Sequence, residues 1–128
     1  IALHICFGNL ASRSRGNRSY KWMFPELSKA NTDQLVLEFA NREMKEVEIW
    51  KEFANQMELS AGVVDVKSFY IETPEDVANK IDEILKYGPA EKLLLNPDCG
   101  FSQLPRWITK LKLEALVKGT KIAKGSAN

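Results

Sequence analysis

The sequence predicts an α/β fold built on a parallel sheet, and three observations predict it. Short apolar runs recur four times along 128 residues. Their centres stand roughly 30 residues apart, the length of one strand-and-crossover unit. The segments between them carry helical signals. Four such units make either a small open sheet or one half of a (β/α)8 barrel, whose whole needs roughly 250 residues. The chain opens at Ile1, inside what reads as a strand, which predicts a piece of something longer. Residues 1–128 are expected to form one partial barrel, with the polar stretch 119–128 a fraying tail.

The first strand is predicted over Ala2 to Phe7. A polar loop follows from Gly8 to Ser19, carrying Arg13, Arg15 and Arg18 among Gly, Ser and Asn. Tyr20 to Ala30 reads as helical, with Pro25 starting or kinking it. The second strand is Gln34 to Phe39. Arg42 to Met57 reads as an amphipathic helix, with Met44, Val47, Trp50, Phe53 and Met57 along one face and Ile49 widening it. Gly62 to Val66 is the third strand. Thr73-Pro74-Glu75-Asp76 then opens a helix: Thr73 caps, Pro74 suits the first position, and the acids suit the positive end of the dipole. Val77, Ile81, Ile84 and Leu85 form its buried stripe, and Gly88-Pro89 ends it. The fourth strand is Lys92 to Asn96, followed by a turn over Pro97 to Gly100 and a last helix from about Leu104 to Val117. Trp22, Trp50 and Trp107 fall on predicted helices and are assigned to packing.

Composition excludes several classes of function. Eighteen basic residues stand against 17 acidic ones, for a net charge of +1, which gives no general attraction to nucleic acid or anionic membrane. No apolar run approaches the ~20 residues that span a bilayer, and the start has no secretory pattern. Two cysteines are too few for a disulfide scaffold. A soluble cytoplasmic protein is the expectation.

Working residues in parallel α/β folds stand at the carboxyl ends of the strands. Those ends carry His4-Ile5-Cys6, then Glu38, then Asp65-Val66-Lys67, then Asn96-Pro97-Asp98-Cys99-Gly100. These segments hold the one histidine and both cysteines of the sequence. His4 and Cys6 are two apart on a strand, so they share a face. With Cys99 they make a Cys₂His set suited to Zn²⁺, and Glu38 can supply an exchangeable fourth ligand. The plain alternative is that the cysteines are space-filling thiols.

The segments His4-Ile5-Cys6, Leu37-Glu38, Gly62 through Ser68, and Pro89-Ala90-Glu91-Lys92 through Asn96-Pro97-Asp98-Cys99-Gly100 resemble the catalytic half of cobalamin-independent methionine synthase and its shorter relatives, among them the epoxyalkane:coenzyme M transferases. The resemblance runs over about residues 2–117. It implies the C-terminal half of a (β/α)8 barrel, with zinc held by His4, Cys6, Glu38 and Cys99. It also implies methyl or alkyl transfer from a donor to a thiol such as homocysteine. Where the methionine synthases carry a histidine two residues after the third-strand aspartate, this chain has Lys67.

Zinc would hold a sulfur as thiolate at neutral pH, where a free thiol, with a pKa of about 8.5, is mostly protonated. Lys67, beside Asp65, is expected in the same mouth, donating a proton to the leaving group, binding an anionic part of the substrate, or pairing with Asp65. Asp98 is expected to support a ligand or to serve the turn. The arginine loop suits a sulfonate, carboxylate or phosphate, or is solvated charge. A competing reading is a non-catalytic half-barrel that only assembles with a missing half. Open strand edges and an exposed inner face predict self-association or such pairing under either reading. A nucleic-acid module built on the arginine loop is the third reading, disfavoured by the charge balance.

Overall fold

A computed structural model describes residues 1–9, 13 and 16–126. Four strands lie on the four predicted runs: β1 (Ala2–Ile5), β2 (Gln34–Glu38), β3 (Glu58–Val64) and β4 (Leu93–Pro97). They form one sheet in the order β1-β2-β3-β4, every neighbouring pair parallel. Strands laid down in chain order without a reversal are what successive βα units of a barrel give, whereas a doubly wound sheet reverses its order.

Register decides which side chains share a face. His4, Val36, Ser60 and Leu94 stand side by side, and Glu38, Gly62 and Asn96 form the next row toward the carboxyl ends. The opposite face presents Leu35, Leu37, Leu59, Ala61 and Val63, all buried. These join Trp50, Phe53, Ile81 and Ile84 from the crossovers and Ala115 from the last helix in one hydrophobic cluster. One face of the sheet is therefore the packed core, and the other carries the polar groups.

Helix α1 (Pro74–Leu85) starts as its sequence predicts. The Thr73 side chain accepts from Asp76 N–H, the Asp76 side chain accepts from Thr73 N–H, and Pro74 takes the first turn. Helix α2 (Arg106–Ser126) runs past its predicted end at Val117. The stretch expected to fray is helical through Ser126, and Ala123 is buried. Gly119 explains the difference. It marks close helix packing instead of a stop: a Cβ there would lie 2.6 Å from both the Pro74 carbonyl oxygen and Val77 Cβ.

Two predicted α-helices are not α-helical. Arg42 to Met57 is built from 3-10 turns at Ala40–Arg42 and Val47–Glu52, separated by Glu43, Met44 and Glu46 in the left-handed region. The repeat of three in Val47, Trp50 and Phe53 is the period of a 3-10 helix, and all three are buried. Tyr20 to Ala30 is likewise two 3-10 turns, Lys21–Met23 and Glu26–Lys29, flanking a cis Phe24–Pro25 bond. Trp50 packs as predicted, but Trp22 and Trp107 are 72% and 62% exposed and do not. Among the described residues no helix is long and apolar enough to cross a membrane.

Candidate metal centre

The site is built at the carboxyl ends of the strands, on the polar face. His4, Cys6 and Cys99 each offer a ligand atom, and these atoms lie within 4.8 Å of one another. His4 and Cys6 come from one strand end, and Cys99 from the turn after β4, the far strand of the sheet. His4 Nδ1 lies 3.1 Å from the Val36 carbonyl. A carbonyl can only accept, so that nitrogen donates, and in the neutral ring Nε2 is then the atom with a lone pair for a metal. Such an orienting bond is what a metal-binding imidazole usually makes. Both cysteines are free and half-buried. Burial pushes the Cys99 thiol up; the Gly100 N–H pulls it down, and adjacent Cys6 raises it again.

Glu38 stands outside this trio. Its side chain is fully buried, with Oε2 2.8 Å from Lys67 Nζ, and the Lys67 side chain is 3% exposed. Glu38 Oε1 is buried without a hydrogen-bond partner among the described residues. The structure thus joins Glu38 to Lys67. Asp65, expected as a partner for the lysine ammonium, instead accepts from the Lys67 backbone N–H at 2.7 Å and from Asn41 Nδ2 at 3.2 Å.

Asp98 is the brace of the site. Its carboxylate accepts three consecutive backbone N–H groups: Phe39 at 2.9 Å, Ala40 at 3.0 Å and Asn41 at 2.6 Å. These follow Glu38 directly, so Asp98 fixes the exit of β2 from the turn that carries Cys99. Burial pushes the Asp98 carboxyl up to about 7, against the pull of those N–H groups. Gly62 makes room for it: a Cβ there would run into Asp98 Oδ1.

Some structural residues of the site carry no sequence signal. The Tyr20 hydroxyl accepts from Glu38 N–H at 2.9 Å and lies 3.1 Å and 3.2 Å from the Glu38 and Ile5 carbonyls, tying β1 to β2 beside the trio. Burial holds that hydroxyl well above the usual tyrosine range. Glu72, buried, accepts from Asp65 N–H and pairs with buried Lys112 at 2.8 Å, anchoring the third strand's loop to α2. Of the arginine loop, Arg15 lies outside the described residues. Arg18 donates to Asn41 Oδ1 at 2.9 Å.

The donor set fits zinc: one imidazole nitrogen and two sulfurs brought together, and at the end of the adjacent strand a buried carboxylate with an oxygen unpartnered among the described residues.

Comparison with known proteins agrees with this architecture. The family model for the cobalamin-independent synthase catalytic domain matches residues 1–122. A methionine synthase of Saccharolobus islandicus is 39% identical over 124 residues, covering 97% of this chain and 34% of the relative. That of Sulfurisphaera tokodaii is 38% identical over 124 residues, covering 97% and 33%. The chain therefore spans about a third of the length of these curated relatives. The solved structure of a B12-independent methionine synthase from a Shewanella species, in complex with selenomethionine, superposes with a TM-score of 0.84 at 29% identity. It covers 98% of this chain and 39% of that one. The four βα units are thus part of a (β/α)8 barrel, and the chain belongs to the cobalamin-independent synthase catalytic-domain family.

Proposed function

We propose that this chain is the zinc-binding part of an enzyme that transfers a methyl or alkyl group to a thiol such as homocysteine. The observation that carries the proposal is the convergence of His4, Cys6 and Cys99 within 4.8 Å at the strand ends. That the relatives are methionine synthases supports methyl transfer as the reaction class. When bound, zinc supplies a thiolate at neutral pH from a sulfur that would otherwise be protonated.

The chain's own residues do the rest. His4, Cys6 and Cys99 would hold the metal, with Glu38 as the fourth, exchangeable ligand. Among the described residues Glu38 has a partner for Oε2 and none for Oε1, so Oε1 is the oxygen available for that role. Lys67 balances the Glu38 charge, and its ammonium would give a proton to the leaving group or hold an anionic part of the substrate. Asp65 sets the Lys67 backbone, and Asp98 holds the peptide following Glu38. Leu3 and Leu94, on opposite edges of the sheet, are 38% and 41% exposed, which supports pairing with the rest of a barrel or with another copy of the chain.

The test uses the full-length protein carrying this chain. Transfer of a labelled methyl group to homocysteine and metal content are measured together in wild type, Cys6→Ser and Cys99→Ser. The proposal predicts one zinc per chain and loss of both zinc and transfer in each variant. Full transfer by metal-free protein, or by either variant, overturns it.

A further inference from the structure

Cys6 follows β1 and Cys99 follows β4, the two outer strands of the four. Three strand spacings separate those strands, roughly 14 Å along the sheet. Yet a His4 ring nitrogen and the two sulfurs converge within 4.8 Å. Strand pairing alone does not bring the trio together. The segments beyond the strands fold inward, and something besides the sheet must hold them.

On the β1 side, Gly8 takes a φ of 94°, in the left-handed region that glycine adopts without the cost a side chain brings. The chain turns there, two residues after Cys6, and Asn9 comes to face the turn that carries Cys99. Asn9 Nδ2 donates to the Gly100 carbonyl at 2.8 Å, joining positions 91 residues apart in sequence. A carbonyl only accepts, so the amide nitrogen is the atom that faces Gly100. Gly100 in turn gives its N–H to the Cys99 sulfur. One residue thus carries both contacts: its carbonyl takes Asn9, and its N–H reaches the sulfur. A Cβ on Gly100 would meet nothing within 4 Å, so close packing does not fix this residue. Asp98 pins the turn to the exit of β2, and Asn9 pins it to the loop after β1.

We infer that Asn9 is a positioning residue of the metal centre: through Gly100 it holds the Cys99 sulfur against the His4–Cys6 end, and so sets zinc affinity without touching the metal. The inference rests on the metal reading of the trio. Hydrogen bonds that orient ligand groups tune metal sites in this way, and their loss weakens metal binding about 10–100-fold.

Zinc affinity of the full-length protein is measured by competition with a chelator, and thermal unfolding of the metal-free protein is followed beside it. Asn9→Leu keeps the side chain's size and removes the donor. Asn9→Gln keeps the donor one methylene farther out. Gly8→Ala strains the backbone that delivers Asn9. Asn9→Leu and Gly8→Ala should each weaken zinc binding about 10–100-fold, and Asn9→Gln should recover part of the loss. The double variant of Gly8→Ala and Asn9→Leu should bind no more weakly than the worse single one, because both break the same contact. The Tm of metal-free Asn9→Leu should match wild type, since the bond lies at the exposed rim and adds little to folding. Equal zinc binding by wild type and Asn9→Leu overturns the inference and leaves the metal reading standing. A metal-free Tm that falls along with zinc affinity in Asn9→Leu, with no recovery in Asn9→Gln, assigns Asn9 to the fold and overturns the inference too. Wild type that takes up no zinc at neutral pH with its thiols reduced overturns the metal reading and the inference with it.

Discussion

Replacing Lys67 by Met should cost this fold about 3–5 kcal/mol, because it strands Glu38 as an unpaired buried charge. The magnitude follows from burial: Glu38 is fully inaccessible, and among the described residues Lys67 Nζ is its ion-pair partner and Oε1 has no hydrogen bond. For a domain of this size the loss corresponds to a fall in Tm on the order of 10–20 °C. Thermal unfolding of wild type, Lys67→Met, Glu38→Gln and the double variant makes the cycle complete. The double variant should recover most of the loss, since the charge that needed a partner is gone. Added zinc should rescue Lys67→Met more than wild type, because a cation nearby would give Glu38 a second partner. A single variant within about 0.5 kcal/mol of wild type, the range of an ordinary surface change, would refute the reasoning.

Gly119→Ala should destabilise by about 1–3 kcal/mol although Ala is the better helix former, because its Cβ meets the Pro74 carbonyl, backbone that cannot step aside; a rise in Tm would contradict the packing role. Gly62→Ala should dislodge Asp98 and expose the amides of Phe39, Ala40 and Asn41, read as faster hydrogen exchange at those three positions above the change elsewhere. Thr73→Ala should cost about 1 kcal/mol in urea unfolding. Asp76 is held below its ordinary value of 3.8 first by the Thr73 N–H and then by the Tyr70 hydroxyl. A depressed carboxyl gives stability that is present above that value and lost as pH falls through the lower folded one. Wild type should therefore lose stability below about pH 4, and Asp76→Asn should flatten that part of the profile.

The sheet was legible because each strand is a short apolar run and the runs recur at the length of a crossover. The trio was legible for a related reason: His4, Cys6 and Cys99 all fall at strand ends, where a parallel sheet puts them on one rim. What escaped the sequence depends on distance across the fold. The three-residue repeat of Val47, Trp50 and Phe53 fits a broad α-helical stripe almost as well as a 3-10 helix, and nothing local marks Glu43, Met44 and Glu46 as left-handed. Gly119 reads as a helix end until Pro74 and Val77 are seen against it. The Tyr20 hydroxyl and the Glu38–Lys67 pair arise only once β1, β2 and the loop after β3 are in register.

The most direct measurement is zinc-edge X-ray absorption on the full-length protein, followed by the same measurement on Cys6→Ser and Cys99→Ser. The account predicts two sulfur neighbours at about 2.3 Å and nitrogen or oxygen at about 2.0–2.1 Å, with one sulfur lost in each variant. A zinc shell of nitrogen and oxygen alone, or protein with intact thiols that takes up no zinc at neutral pH, would contradict it.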